Sequence, residues 1–278
     1  MKKILILFSF AATVTGAEPQ RLVTVGAMAS ELVCGLGHCG DIVAVDVTSV
    51  YPPELLQKPK VGYVSKLSAE GILSMRPTAL IYIDGAGPAQ VLQQLEQSGV
   101  KLVKLNKELG NKAAESRILE LGKALQENAK AKALATKLST SLTKLAREKK
   151  ANKRPKVLFL YARGAQTLLA MGKNTTADEF IELAGGENAF TTDGYKPVNA
   201  EAVAASQAEI IIIPDGSLQG LGGKEALKSI PGLGQTPAGR RLAFVTMDDS
   251  LLAGLGPRTA NAVKTIRKKI AEELARGK

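Results

Sequence analysis

Between Glu115 and Leu145 apolar residues recur at three- and four-residue steps: Ile118, Leu119, Leu121 and Leu125, then Leu134, Leu138, Leu142 and Leu145. Lys, Glu, Gln and Ala fill the gaps, and no proline interrupts before Pro155. The run from Asn111 to Lys150 therefore predicts helix. Asn128 marks a break, leaving a shorter helix and then one of about 20 residues, about 30 Å long. A rod of that length can hold two lobes at a fixed separation.

On both sides of the rod the period changes to short buried runs. Leu22–Val25, Ile42–Val45, Ala79–Ile83 and Lys101–Leu105 read as strands before it, and Lys156–Leu160, Ile210–Ile213 and Leu242–Val245 after it. Helices from about Met28 to Gly35 and from Pro88 to Gln97 alternate with the first set. In the second set, Thr176-Ala177-Asp178-Glu179 reads as a capping box, Gly216–Gly223 as a flexible glycine-rich loop, and Thr259 as the cap of a basic last helix. Strands alternating with helices predict mostly parallel sheets covered on both faces.

The two flanks also repeat one another. Ser68-Ala69-Glu70 opens a short helix that leads to Ala79–Ile83 and Asp84-Gly85. Asn199-Ala200-Glu201 opens another that leads to Ile210–Ile213 and Asp215-Gly216. Two copies at this spacing mean duplicated lobes rather than a solenoid. The expected organisation is an N-terminal lobe over 18–110, linking helices over 111–150 and a C-terminal lobe over 151–278. At 278 residues and 45% hydrophobic composition the chain can bury two modest cores.

Residues 1–17 read as a cleaved secretory signal: Lys2 and Lys3, an apolar core from Ile4 to Val14, and Thr15-Gly16-Ala17 before Glu18. The expected location is the periplasm of a Gram-negative cell. Cys34 and Cys39 suit an oxidising compartment as a local disulfide. With His38 they could instead form a metal cluster, which would lack a fourth ligand. His38 follows a helix C-terminus, on the edge of the lobe away from the cleft. The formal charge of +11 is spread along helices without aromatic interleaving, which speaks against a nucleic-acid surface.

No nucleophile elbow, phosphate loop or dinucleotide fingerprint occurs, and the single histidine is badly placed to act as a base. Two lobes, a connecting helix and export favour a ligand carrier with its site between the lobes. Ligands of such sheets sit beyond the carboxyl ends of the strands. One histidine does not suit a manganese or zinc carrier. The informative segment is Val61-Gly62-Tyr63-Val64-Ser65-Lys66-Leu67, which puts a tyrosine on a glycine-hinged loop with Lys66 beside it. A phenolate is a hard anionic donor suited to ferric iron, and a neighbouring cation eases loss of its proton. A loop tyrosine packed on its neighbours is the bland alternative. Met28 and Met171 are the methionines nearest the expected cleft, although core packing is the better account of every methionine.

The tyrosine loop with its Leu67-Ser68-Ala69-Glu70-Gly71 continuation, Gly185-Gly186-Glu187-Asn188, and Leu251 to Thr259 with its Gly-Pro-Arg-Thr together resemble the haem-binding periplasmic proteins of bacterial haem ABC importers (HmuT/ShuT type). The resemblance covers nearly the whole mature chain. It implies a class III periplasmic binding protein, in which two similar α/β lobes are joined by a long rigid helix and haem lies between them. It implies Tyr63 as the axial ligand of ferric haem, with Arg258 near the propionates. Some members carry an arginine two residues after the tyrosine; here Ser65 stands there and Lys66 follows. Some use a second-lobe histidine, and Tyr161–Gln166 contains none, so coordination by Tyr63 alone is implied.

The expectation is a monomeric haem carrier and not an enzyme. Tyr63 binds the iron, Arg258 with Lys66 or Arg163 meets the propionates, and Glu70 and Glu201 dock on an inner-membrane ABC permease. The alternatives are a ferric-siderophore or cobalamin carrier of the same architecture, and an exported tetrapyrrole-modifying enzyme.

Overall fold

The computed structural model describes residues 20–148, 154–163 and 167–276. The signal assigned to 1–17 lies outside the described residues, as does the side chain of Arg163. In chain order the N-terminal lobe comprises β1 (Leu22–Val25), α1 (Ala27–Gly35), β2 (Ile42–Val45), the two-residue strands β3 (Gly62–Tyr63) and β4 (Lys66–Leu67), α2 (Ala69–Ser74), β5 (Ala79–Ile83), α3 (Ala89–Gln97) and β6 (Lys101–Leu105). The link is α4 (Asn111–Ala124) and α5 (Asn128–Arg147). Then follow β7 (Lys156–Arg163), β8 (Thr167–Met171), α6 (Thr176–Leu183), β9 (Glu187–Asn188), β10 (Tyr195–Pro197) and α7 (Ala200–Ala205). The chain continues through β11 (Ile210–Pro214), α8 (Asp215–Leu221), α9 (Pro237–Arg241), β12 (Phe244–Met247) and α10 (Thr259–Ala275).

The N-terminal sheet runs β2-β1-β5-β6 and is parallel throughout. The central strands β1 and β5 are buried on both faces and read as unbroken apolar runs, whereas the edge strand β6 exposes Lys101 and Lys104. The C-terminal sheet runs β10-β8-β7-β11-β12, with β9 beside β7. There β7, β11 and β12 are parallel, whereas β8 and β10 extend the sheet antiparallel on one side. The hairpin β3–β4 stands outside both sheets.

One hydrophobic core runs from Leu22 and Leu32 through Ile118, Leu121, Leu138 and Leu142 of the link to Phe180, Ile211 and Ile266. Most of the periodic apolar positions of the link are buried in it, Leu119 being exposed. Arg117, on α4, is buried and donates to the carbonyls of Asn106 and Glu108 on one side and Leu255 on the other. Burial depresses its pKa, partly offset by the nearby carboxylates Glu179, Glu120 and Glu108. A buried guanidinium satisfied by carbonyls of both lobes fastens them to the helix between.

Several local expectations need correction. The cap of α6 is Thr175, whose hydroxyl accepts from the Asp178 amide at 3.2 Å, one residue before the expected Thr176. Thr259 is the first helical residue of α10, and its hydroxyl accepts from Gly256 N at 2.8 Å. Most of Gly216–Gly223 is the helix α8, closed by Gly222 in the left-handed conformation. The last strand begins at Phe244, because Leu242 turns at φ +51° to end α9. The strands β8 and β10 have no counterpart among the expected strands: they are short, β8 only partly buried and β10 exposed.

Candidate functional site

A cavity of about 510 Å³ opens between the lobes. Val47, Thr48 and Val50 line it from the N-terminal lobe. Tyr161, Leu169, Met171 and Tyr195 form the opposite wall, and Asp249, Ser250 and Leu252 contribute from the segment after β12. Met171 is thus a wall residue, whereas Met28 is buried in the core. A larger depression of about 800 Å³ lies on the outer side of the C-terminal lobe along β12. Its wall mixes Lys224, Arg241 and Lys269 with Asp215, Glu272 and Glu273, and it touches no residue of the other lobe.

Tyr63 stands at the N-terminal rim. The carbonyl of Gly62 accepts from the amide of Val47 at 3.0 Å, so the hairpin is joined to the segment that lines the cavity. Gly87 N donates to Val64 O, and Leu67 N to Gly87 O, each at 2.9 Å. Gly62 has φ +109°, and a Cβ there would lie 2.5 Å from the Lys66 carbonyl oxygen, so the tight turn requires glycine. Tyr63 is 64% exposed and is not part of the cavity wall itself. Lys66 is its cross-strand partner and is also exposed, with no ion-pair partner among the described residues.

Arg258 is placed differently from a free anion clamp. Its Nη1 donates to Asp248 at 2.6 Å, and its Nη2 donates to Glu31 and, at 2.5 Å, to Ser250. The guanidinium carbon sits 3.8 Å from the ring centroid of Tyr51. Glu31 and Tyr51 belong to the N-terminal lobe, Asp248 and Ser250 to the C-terminal one, so Arg258 ties the lobes together beside the cavity. Burial pushes the Glu31 carboxyl up, against the pull of Arg258. Burial acts the same way on Asp248, but hydrogen bonds from Ser250 and Arg258 outweigh it and hold that carboxyl low. Asp248, Glu31 and Ser250 thus take three of the five guanidinium N–H donors, and a ligand carboxylate would have to share Arg258 with them.

Glu70 and Glu201 occupy matched positions. Each lies in the first turn of a short helix and is exposed, and the preceding caps are Ser68 (Oγ accepting from Gly71 N) and Asn199 (Oδ1 accepting from Ala202 N). Lys173 is paired with Asp178 and Glu182 at 3.3 and 3.6 Å. Cys34 and Cys39 form a disulfide. His38 sits beside it, with Nδ1 2.7 Å from Asp41 and Nε2 3.2 Å from Glu127 between the link helices. Among the described residues no group of three or more His, Cys, Asp or Glu could hold a metal ion.

Two α/β lobes around a helical link, with an open cavity between them, define a solute-binding protein. The chain belongs to the periplasmic binding protein family, whose model matches residues 22–251. Among solved structures it is similar to the periplasmic heme-binding protein RhuT from Roseiflexus sp. RS-1, with 34% identity and a TM-score of 0.86 over 91% of this chain and 98% of that one. A periplasmic heme-binding protein from Pseudomonas aeruginosa gives 35% identity and a TM-score of 0.84, covering 91% and 92%. It is also similar to the vitamin B12-binding protein of Photorhabdus laumondii, at 24% identity over 95% of this chain and 92% of the relative. The chain is therefore an extracytoplasmic solute-binding protein of an ABC importer, and a binding protein rather than an enzyme.

Proposed function

We propose that the protein carries ferric haem between its lobes and delivers it to an inner-membrane ABC permease, after export by a signal cleaved near residue 17. The observation that carries this reading is the exposed phenol of Tyr63, raised on a glycine-dependent hairpin beside a largely apolar and aromatic cavity. A flat conjugated ligand with a ferric centre needs that combination: a wall of low polarity for its faces and one hard oxygen donor. Lys66, opposite Tyr63 in register and without an ion-pair partner among the described residues, is an exposed cation available to a propionate. Arg258, already shared by Glu31 and Asp248, is a second candidate for a propionate, and Arg163 a further one from the second lobe. Glu70 and Glu201, one exposed carboxylate per lobe, are the contacts for a two-fold permease, and the carrier acts as a monomer.

The similarity to vitamin B12-binding proteins favours cobalamin as the second reading. Competition separates the two. Purified protein titrated with hemin in the presence of excess cyanocobalamin should bind hemin undiminished. Displacement of hemin by cobalamin, or binding of cobalamin alone, would assign the cleft to the second ligand.

A further inference from the structure

The two lobes each present a tyrosine ahead of their matched carboxylate. In the first, Tyr63 precedes the helix cap Ser68 and Glu70; in the second, Tyr195 precedes the cap Asn199 and Glu201. Both rings are 64% exposed, the most exposed large apolar side chains among the described residues. A lysine follows each, Lys66 as the cross-strand partner of Tyr63 and Lys196 next to Tyr195. Their settings differ. Tyr63 rides on a free hairpin, while Tyr195 belongs to β10, the outermost strand of the sheet, directly opposite Met171 of β8.

Side chains alternate across a sheet, so residues paired in register share a face. Tyr195 pairs with Met171, Pro197 with Leu169, and Leu169 in turn with Tyr161. Tyr195, Met171, Leu169 and Tyr161 consequently form one surface, and all four line the inter-lobe cavity. Opposed cross-strand side chains lie within contact distance, which makes this a continuous flat wall. An exposed tyrosine on a fixed strand at the mouth of a cavity offers large rigid area at little entropic cost on binding.

We propose that Tyr195 is the second-lobe counterpart of Tyr63 and stacks on the opposite face of the bound planar ligand. The division of labour is between a donor and a wall: the Tyr63 oxygen meets the metal, and the Tyr195 ring, backed by Met171, covers the macrocycle. The ring carries the contact, and its hydroxyl is dispensable. Aromatic stacking at the centre of a binding surface is worth about tenfold or more in affinity when truncated.

This inference rests on the haem reading for its ligand, and the experiment separates the two. Wild type, Tyr195→Ala and Tyr195→Phe are titrated with hemin and, separately, with cyanocobalamin, following affinity and the visible spectrum. The expected result is about a tenfold weaker hemin affinity for Tyr195→Ala, an unchanged ferric charge-transfer band, and near wild-type binding by Tyr195→Phe. Equal affinity in Tyr195→Ala and wild type overturns the proposal. Loss of the charge-transfer band in Tyr195→Phe overturns it as well, since the phenol oxygen would then be a metal ligand. If wild type binds cobalamin and not hemin, the haem reading fails, and the Tyr195→Ala to wild-type ratio measured with cobalamin decides the wall. The side chain is mostly in solvent, so both variants should unfold at the wild-type temperature.

Discussion

The two lobes share a repeat but handle their cleft side differently. The N-terminal sheet is all parallel and ends at its strands, so Tyr63 is carried beyond it on a hairpin held by Val47, Gly87 and its own turn. The C-terminal sheet grows by two antiparallel strands, and its cleft surface is the sheet itself. One lobe thus presents its exposed tyrosine on a hairpin and the other on a strand of the sheet. The hairpin is anchored by buried Val61 and Leu67, which leaves the Tyr63 ring itself exposed at its turn. A strand paired along its length suits a surface that only has to be met.

The comparison can be tested from both sides, starting with the largest effect. Charge reversal of both carboxylates proposed to dock, Glu70→Arg with Glu201→Arg, should abolish haem-dependent growth while hemin affinity stays within about twofold, because exposed charges contribute little to a distant site. Normal transport by the double variant would break the equivalence of the two helices. Tyr63→Ala should weaken hemin binding by about 100-fold or more, since even partners that merely orient a metal ligand are worth 10–100-fold. A spectroscopic titration reads it directly.

Arg258→Ala probes what holds the lobes together. It leaves Glu31 buried without its cation, and the apo protein should lose roughly 2–3 kcal/mol in denaturant unfolding. A fully buried pair would lose more, but this guanidinium is 20% exposed and its other carboxylate more so. Hemin binding that falls far more than stability would return Arg258 to a direct ligand role. Gly62→Ala should cost roughly 1–3 kcal/mol through its left-handed backbone and the close Lys66 carbonyl, and hemin affinity should fall with it. A change in stability alone would show that the hairpin does not position Tyr63.

The smallest effect is in pH. Asp248 titrates below its ordinary range in the folded protein, so its contribution is present above the ordinary carboxylate value and disappears as pH falls through the folded one. Glu31 is raised, so its contribution is present in acid and declines as pH rises through its folded value. Asp248→Asn should therefore flatten the acid limb of a plot of unfolding temperature against pH, and Glu31→Gln should remove the opposite slope. Identical profiles for both variants would mean that the Arg258 cluster does not couple the lobes electrostatically.

The central strands β1, β5 and β11 were legible because burial on both faces leaves uninterrupted apolar runs, and the link because its period is helical. The Ser68/Asn199 repeat was legible because caps and first-turn acids have local chemical reasons. The half-exposed strands β8 and β10 were not: Thr167–Met171 is short, and Tyr195-Lys196-Pro197 has three exposed residues. Extending the repeat a few residues upstream brings Tyr195 within one position of the counterpart of Tyr63. The partners of Arg258 could not be read at all, because Glu31 is 227 residues away in sequence and only the lobe arrangement brings it close. Gly216–Gly223 misled because glycine content outweighed Leu218 and Leu221, which turn toward the core.

The most direct measurement is the visible spectrum of the hemin complex of wild type beside Tyr63→Phe. Wild type should give a shifted Soret band with a high-spin ferric charge-transfer band, and the variant, which keeps the ring and lacks only the oxygen, should lose that band and most of its affinity. An identical spectrum and affinity in the two proteins would contradict iron coordination by Tyr63.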